Sequence, residues 1–299
     1  MRPAPTRPLS RAAGFTLVEI VVVLLIVSVL IGMAAVMTRG VVAAQKRSLT
    51  AARLSTVDAA LTQFVAQQRR LPCPANGTLA ASANNAGVED VTAGTCTGNQ
   101  ANGVVPWRTL GLSETDATDG WERRLTYRVD PLLTVAGGMD MSGCDAIGTA
   151  APGAAPNFCL AGCVGTTPGS CTSPYLFLTN NNAANGRGLQ VRNLAGQVLM
   201  NPTPGVGNAH TGAAYVVVSA GESGGGAYLN TGTLAASTVG DGTEELKNYA
   251  SQQFVSNTVT YYVDDSIVDA SGNGHFDDLV LRPSVQAVAA RAGLGPRVH

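Results

Sequence analysis

The densest group of potential metal ligands lies near the C-terminus, where residues 264–278 contain five aspartates. The run from Asp269 to Gly274 loosely follows the D-x-[DN]-x-[DN]-G spacing of a calcium loop, but Val280 stands where the closing Glu is required. Hard oxygen ligands suit Ca²⁺, which is the one cofactor we predict as possible. Its predicted ligands are Asp264, Asp269, Asn273 and Asp277. Asn273-Gly274 is also a strong two-residue hairpin signal, and a hairpin and a calcium site are compatible.

A second pattern that could carry chemistry is the segment 221–225, GESGG. It approaches the G-x-S-x-G of a hydrolase nucleophile elbow and follows a predicted strand. Ser223 would need His275 or His299 as its base. The residues after it do not favour a helix, and no α/β alternation surrounds it. The segment therefore indicates a glycine-rich turn, and we predict that the protein is not an enzyme.

The six cysteines all lie downstream of residue 70, and their even number in an exported segment predicts disulfides. They are Cys73, Cys96, Cys144, Cys159, Cys163 and Cys171. Six cysteines allow 15 pairings, so the sequence leaves the connectivity open. Cys73–Cys96 is the preferred pair, and the other four are expected to pair among themselves. Zinc bound by those four is the alternative, but it lacks the paired C-x₂-C of a zinc ribbon.

One charged residue, Glu19, interrupts an apolar run of 24 residues over 15–38. As a helix this run is about 36 Å long, enough to cross a bilayer. Residues 1–14 contain three arginines and no acid, which predicts a cytoplasmic N-terminus. The run is too long for a secretory signal peptide. A plain membrane anchor leaves Glu19 unexplained, since a carboxylate at the centre of such a helix costs about 2.5–3.5 kcal/mol.

The segment GFTLVE over 14–19, followed by the apolar run, resembles the N-terminus of type IV prepilins and type II secretion pseudopilins. The close resemblance covers about residues 11–70. It implies that a membrane-embedded aspartyl peptidase cuts between Gly14 and Phe15 and that Phe15 becomes N-methylated. It also implies assembly, in which Glu19 of one subunit pairs with the Phe15 amino group of a neighbour.

The helix is expected to continue beyond the apolar run. No proline occurs from 39 to 70, and apolar residues at spacings of three and four form one stripe. The stripe consists of Leu54, Val57, Leu61, Phe64 and Val65. Pro72 ends the helix before Leu71. A free coiled-coil stalk is the alternative, but the segment lacks sustained heptads.

Seven segments are predicted as strands. They are 124–129, 175–178, 189–192, 197–199, 213–219, 254–263 and 276–281. The predicted fold class is α+β, with a long N-terminal transmembrane-amphipathic helix packed on an antiparallel β-sheet with long disulfide-tied loops, as in pilins. The predicted domains are a leader (1–14), a transmembrane helix (15–38), its amphipathic continuation (39–70) and a globular head (71–299).

The charge balance argues against a nucleic-acid partner, because 19 Lys and Arg stand against 20 Asp and Glu. The sequence instead predicts a non-enzymatic filament subunit. Its expected partners are other pilin or pseudopilin subunits, prepilin peptidase and the inner membrane, with the head periplasmic and later at the cell surface. Several short phrases, among them LPCP and VPWRTLGL, resemble large minor pilin-like proteins. A membrane-anchored periplasmic enzyme or binding module is the alternative.

Overall fold

The structure is a computed structural model of the chain. It describes residues 16–92, 94–96, 100, 102–140, 188–201, 212–238, 240–249, 261–270 and 272–295, with 33–39 and 95 described by backbone conformation only. The chain forms two compact units, residues 1–45 and 46–299.

Two α-helices and ten short strands make up the regular structure. The helices are α1 (Leu17–Gln68) and α2 (Val285–Arg291). The strands are β1 (Ala75–Asn76), β2 (Val91–Thr92), β3 (Thr95–Cys96), β4 (Gly103–Val104), β5 (Thr126–Val129), β6 (Gln190–Arg192), β7 (Val198–Met200), β8 (Tyr215–Ser219), β9 (Tyr261–Val263) and β10 (Leu279–Leu281). Single 3₁₀ turns span Thr115–Ala117, Pro131–Leu133, Glu245–Asn248 and Gly272–Gly274.

The first unit contains the apolar start of α1. Over the parts of the chain described above, no helix combines the length and the apolar character needed to cross a bilayer. The transmembrane span predicted over 15–38 is therefore not confirmed, whereas the α+β class is.

The second unit is built on a five-stranded sheet in the order β1-β4-β5-β8-β10, and every neighbouring pair in it is antiparallel. β8 is buried along its whole length and lies between β5 and β10. Its residues 215–218 are one tyrosine followed by three valines, an unbroken run of aromatic and β-branched residues that suits an interior strand. The antiparallel sheet predicted from the sequence is thus confirmed.

A smaller sheet, in the order β7-β6-β9, departs from the prediction. β6 and β7 pair antiparallel, but β6 and β9 are parallel, with Val191 opposite Tyr262. Parallel neighbours need a long crossover, and the chain between β6 and β9 supplies one. The end of the strand predicted over 254–263 is present as β9, whereas 254–260 and the strand predicted over 175–178 lie outside the described residues.

The second half of α1 packs on the large sheet through the predicted stripe. Leu54, Val57, Leu61 and Val65 are buried in one core with Tyr127 and Tyr215 of the sheet. Phe64 is half-buried, which places it at the edge of the stripe. The amphipathic continuation is confirmed, and burial of the stripe is the main reason that this half of the helix is held to the sheet.

Polar contacts fix the same part of the helix to the turn that precedes β5. The Gly120 N–H donates to Thr50 Oγ1 at 2.9 Å, and the Arg53 guanidinium donates to the Asp119 carbonyl at 2.7 Å. Only glycine fits at position 120, because a Cβ there would lie 2.4 Å from the Lys46 carbonyl oxygen. The helix and the turn are therefore in backbone contact.

The predicted Cys73–Cys96 disulfide is present, with Cα atoms 5.3 Å apart. It joins the segment after α1 to β3. The other four cysteines lie in 141–187, outside the described residues, so their pairing stays a prediction.

Candidate functional sites

Two features of the structure could carry function, and the first is the start of α1. Glu19 lies in the first helical turn with an exposed side chain, and its N–H bonds to Thr16 Oγ1 at 3.3 Å. A carboxylate in the first turn interacts favourably with the helix dipole. Among the described residues, no cation pairs with Glu19. Gly14 and Phe15, the predicted cleavage and methylation positions, lie outside them.

The large apolar side chains that follow Glu19 are exposed on every side of the helix. From Leu17 to Ile31 each is between 43% and 81% exposed. An amphipathic helix buries one stripe, whereas a helix that is apolar all round is normally surrounded by other helices or by lipid. This segment therefore presents a surface that the described part of the chain does not cover.

The second feature is a buried cluster of a histidine and carboxylates behind the turn that follows β8. Asp277 receives three hydrogen bonds from this turn. Its Oδ2 accepts the N–H groups of Glu222 and Ser223 at 2.7 and 2.8 Å, and its Oδ1 accepts the Ser223 hydroxyl at 2.9 Å. Gly221 has φ 54° and approaches so closely that a Cβ would lie 2.3 Å from the Asp277 carbonyl oxygen.

This geometry argues against the hydrolase pattern. Ser223 is buried, and its hydroxyl donates to the Asp277 carboxylate and lies 3.2 Å from the Ala220 carbonyl. In a nucleophile–base pair the serine bonds to the imidazole and the carboxylate orients the histidine from behind. Here the carboxylate lies next to the serine instead. The segment 221–225 acts as a turn, as the sequence indicated.

Glu245 and His275 complete the cluster. Glu245 begins a 3₁₀ turn, and its two oxygens accept the N–H groups of Gly242 at 3.0 Å and Asp277 at 3.1 Å. His275 Nδ1 lies 3.0 Å from the Ala270 carbonyl, and Nε2 lies 3.7 Å from Asp277 Oδ2. One ligand atom from each of Glu245, His275 and Asp277 falls within 4.8 Å of the others.

Burial dominates the electrostatics of this cluster. Loss of hydration raises the pKa of Glu245 to about 7, and the nearby Asp277 carboxylate adds to the rise. Burial also raises the pKa of Asp278 well above its usual value, with Glu245 and Asp277 contributing, although the Asn248 amide opposes the shift. Several acidic groups are therefore held where negative charge is unfavourable.

The four ligands predicted for calcium have different surroundings. Asp264 pairs with Arg282 at 2.5 Å, and Asp269 and Asn273 are exposed. Only Asp277 belongs to the group of converging ligand atoms that the described residues form. Calcium binding by these four residues stays a prediction, and the structure does not bring the four side chains together around one point.

Sequence reasoning missed Glu245 entirely and considered His275 only as a hydrolase base. Glu245 is separated from Asp277 by 31 intervening residues, part of which lie outside the described chain. No local spacing marks such a pair. The one available signal was the double acid Glu244-Glu245 followed by an apolar residue in a Gly-rich region, and it is too common to be specific.

Comparison with known families bears on the N-terminal feature. Residues 9–35 match the model of the prokaryotic N-terminal methylation motif. No curated protein and no solved structure matches the chain. The matched motif supports the resemblance of the N-terminal segment to type IV prepilins and pseudopilins.

Proposed function

We propose that this protein is a structural subunit of a type IV pilus or a type II secretion pseudopilus. The precursor is held in the inner membrane by segment 15–38, with the leader cytoplasmic and the head periplasmic. Prepilin peptidase cuts after Gly14, Phe15 is N-methylated, and the subunit joins a filament through the start of α1. The match to the methylation motif over residues 9–35 is the observation that carries this proposal.

The exposure of the apolar residues supports assembly through this helix. Side chains that are apolar on all faces lose their contact with water or lipid when copies of the same helix pack around them. Neighbouring subunits of a helical filament provide such a surface. The second half of α1 cannot serve this purpose in the same way, because its apolar stripe is already buried in the head.

Glu19 has a specific part in this assembly. Cleavage creates a positively charged amino group at Phe15, and the Glu19 carboxylate of an adjacent subunit neutralises it. Each charge is costly without the other in an apolar surrounding, so the pairing favours one register between helices.

A minor or specialised role fits the size of the head. The described part of the head carries three sheets, of five, three and two strands, and a second helix in addition to the part of α1 that packs on it. We propose that subunits with this large head occur at few positions in the filament, where the head is exposed, and that they do not form the bulk of the filament.

Processing gives the direct test. Gly14→Lys should leave the protein at precursor length, because the peptidase must fit a small residue before the cut. Mass spectrometry of the wild-type protein should show a chain that begins at N-methyl-Phe15. Gly40→Lys is the matched control, since a side chain added there meets open space, and it should be cleaved normally.

An intact leader on the wild-type protein from the membrane fraction would overturn the proposal. Cleavage of Gly14→Lys at the same position as the wild type would show that the peptidase does not need a small residue before the cut.

A further inference from the structure

The His275 ring is buried, and only one of its two nitrogens has a hydrogen-bond partner. Its side chain is only 7% exposed, and its Nε2 atom has no hydrogen-bond partner. A buried polar atom without a partner destabilises the fold, so such an atom in a native structure calls for an explanation such as a bound ion.

The other ring nitrogen fixes the protonation of Nε2. Nδ1 lies 3.0 Å from the Ala270 carbonyl oxygen, and a carbonyl can only accept a hydrogen bond. Nδ1 therefore carries the proton of the neutral ring, and Nε2 presents a lone pair. Metal-ligating histidines are commonly oriented in this way, with the second nitrogen donating to a backbone carbonyl.

The groups opposite this lone pair are acceptors as well. Asp277 Oδ2 lies 3.7 Å from Nε2, and Glu245 contributes a carboxylate oxygen within 4.8 Å of both ligand atoms. All three residues are buried. A lone pair and two carboxylates that face one another need a cation between them. We propose that Glu245, His275 and Asp277 bind one zinc ion or a similar divalent transition metal.

The distances fit zinc. Bonds of about 2.0–2.2 Å in a tetrahedral arrangement place neighbouring ligand atoms roughly 3.3–3.6 Å apart. The Asp277 carboxylate lies in a similar range from the ring, with Oδ2 3.7 Å from Nε2. Its Oδ1, which accepts only the Ser223 hydroxyl, is the oxygen that would bind the metal. Imidazole nitrogen favours zinc over calcium, which prefers six to eight oxygens. Three protein ligands leave the fourth position to water.

Hydrogen bonds already hold the two carboxylates in place. The turn after β8 donates three hydrogen bonds to Asp277, and the N–H groups of Gly242 and Asp277 donate to Glu245. Each carboxylate oxygen has two lone pairs, so Asp277 Oδ1, which accepts only the Ser223 hydroxyl, retains one. Such outer contacts orient ligands before the metal arrives.

The bound metal joins three parts of the head. Glu245 lies on the 3₁₀ turn Glu245–Asn248, His275 follows the turn Gly272–Gly274, and Asp277 precedes β10 and holds the turn after β8. These loops contain little regular secondary structure. A bound metal would hold them together, as the disulfide holds together the segments around Cys73 and Cys96. The role is structural and is independent of filament assembly.

The test uses the full-length protein, stripped with a chelator and then given equimolar zinc. Elemental analysis should find one zinc per chain, and X-ray absorption should show nitrogen and oxygen ligands without sulfur. Zinc at a hundredfold excess over Kd should raise the unfolding midpoint by about 5–10 °C. His275→Gln should weaken zinc binding at least about tenfold. Asp269→Asn, which changes an exposed carboxylate outside the cluster, should bind zinc as the wild type does.

Three results would overturn the proposal. They are an absence of bound zinc, zinc affinity that is unchanged in His275→Gln, and sulfur in the zinc coordination, which would assign the ion to the cysteines. If His275→Gln fails to fold, Glu245→Gln and the absorption spectrum of the wild-type protein decide the question. A rise in the unfolding midpoint with calcium but not with zinc would also contradict it.

Discussion

The two acidic residues of α1 are in opposite situations. Glu19, in the first turn, is exposed and has no paired cation among the residues that the structure describes. Asp58, in the second half, accepts the Tyr215 hydroxyl and the Arg291 guanidinium. One carboxylate is paired within its own chain, and the other is the one that we propose pairs with a neighbouring subunit.

The apolar residues of the two halves differ in the same way. In the second half they recur at helical spacing and are buried, and in the first half they cover every face and are exposed. The comparison shows that one continuous helix carries two kinds of interface. Its second half is part of the head core, and its first half exposes the apolar residues that we propose pack against other subunits.

The largest expected effect concerns the first half. Glu19→Val should be cleaved and retained in the membrane fraction, because the change removes a polar group from an apolar segment. Its incorporation into filaments should be lost, since the neighbouring amino group is then unpaired. Shearing of filaments followed by immunoblotting measures incorporation, and Ser28→Val is the control for a polar residue replaced in the same segment.

The free energy of unfolding of the head should not change in Glu19→Val, because Glu19 is exposed and is not one of the residues that form the head core. Normal incorporation of this variant would show that Glu19 does not set the register. A destabilised head would show that the two halves of α1 are not independent.

The next largest effect is expected from the disulfide that follows the second half. Replacing Cys73 and Cys96 together by serine should lower the free energy of unfolding by about 3 kcal/mol, because the bridge closes a loop with a sequence separation of 23. Urea denaturation of the oxidised protein measures this loss. Processing of the leader should continue, and a cleavage defect in this variant would contradict the separation of the two halves.

A smaller effect is expected at Asp58. Asp58→Ala should lower the free energy of unfolding by about 2 kcal/mol, since it leaves the hydroxyl of the buried Tyr215 without an acceptor. Burial raises the pKa of Tyr215, and the Asp58 carboxylate raises it further, so this hydroxyl stays protonated and needs an acceptor.

Arg291→Met separates the two contributions at Asp58. The Arg291 side chain is 43% exposed, so solvent screens its ion pair, and we expect a loss of less than about 1 kcal/mol. Urea denaturation of both variants gives the comparison. An equal loss in Asp58→Ala and Arg291→Met would contradict the dominant role of Tyr215.

The sequence predicted the parts of the fold that local patterns determine. The stripe from Leu54 to Val65 has helical spacing, and the run in β8 is long and β-branched, so both were predictable. The parallel pairing of β6 with β9 was not, because it depends on a long crossover rather than on a turn. The short strands β1 to β4 lie in a polar segment whose composition indicates a loop.

The candidate sites divide in the same way. Glu19 was found because a charge in an apolar run is visible in the sequence. The cluster of Glu245, His275 and Asp277 was not found, because tertiary contacts bring together residues from two separate loops. The aspartates that were predicted as calcium ligands are close in sequence, but Asp264 is paired with Arg282 and Asp269 is exposed.

A further small effect is expected as a pH dependence beside the disulfide. Glu89 accepts two hydrogen bonds from Arg70, at 2.8 and 2.9 Å, and one from the Cys73 N–H at 3.0 Å. Burial acts to raise the pKa of Glu89, but these bonds outweigh it and the pKa is lowered. A lowered carboxyl pKa adds stability above the unfolded value of about 4.3, and this stability is lost as the pH falls through the folded pKa.

Glu89→Gln should therefore lower the free energy of unfolding by about 1 kcal/mol at pH 7, and the loss should shrink when the pH is reduced to about 3. Glu222→Gln is the matched control, because its side chain is exposed, and it should behave as the wild type at both pH values. Urea denaturation at the two pH values measures the difference. An equal loss of unfolding free energy in Glu89→Gln at both pH values would mean that the side chain contributes through packing and neutral hydrogen bonds. Its ionisation would then have no part in holding Arg70 and the Cys73 backbone at the end of α1.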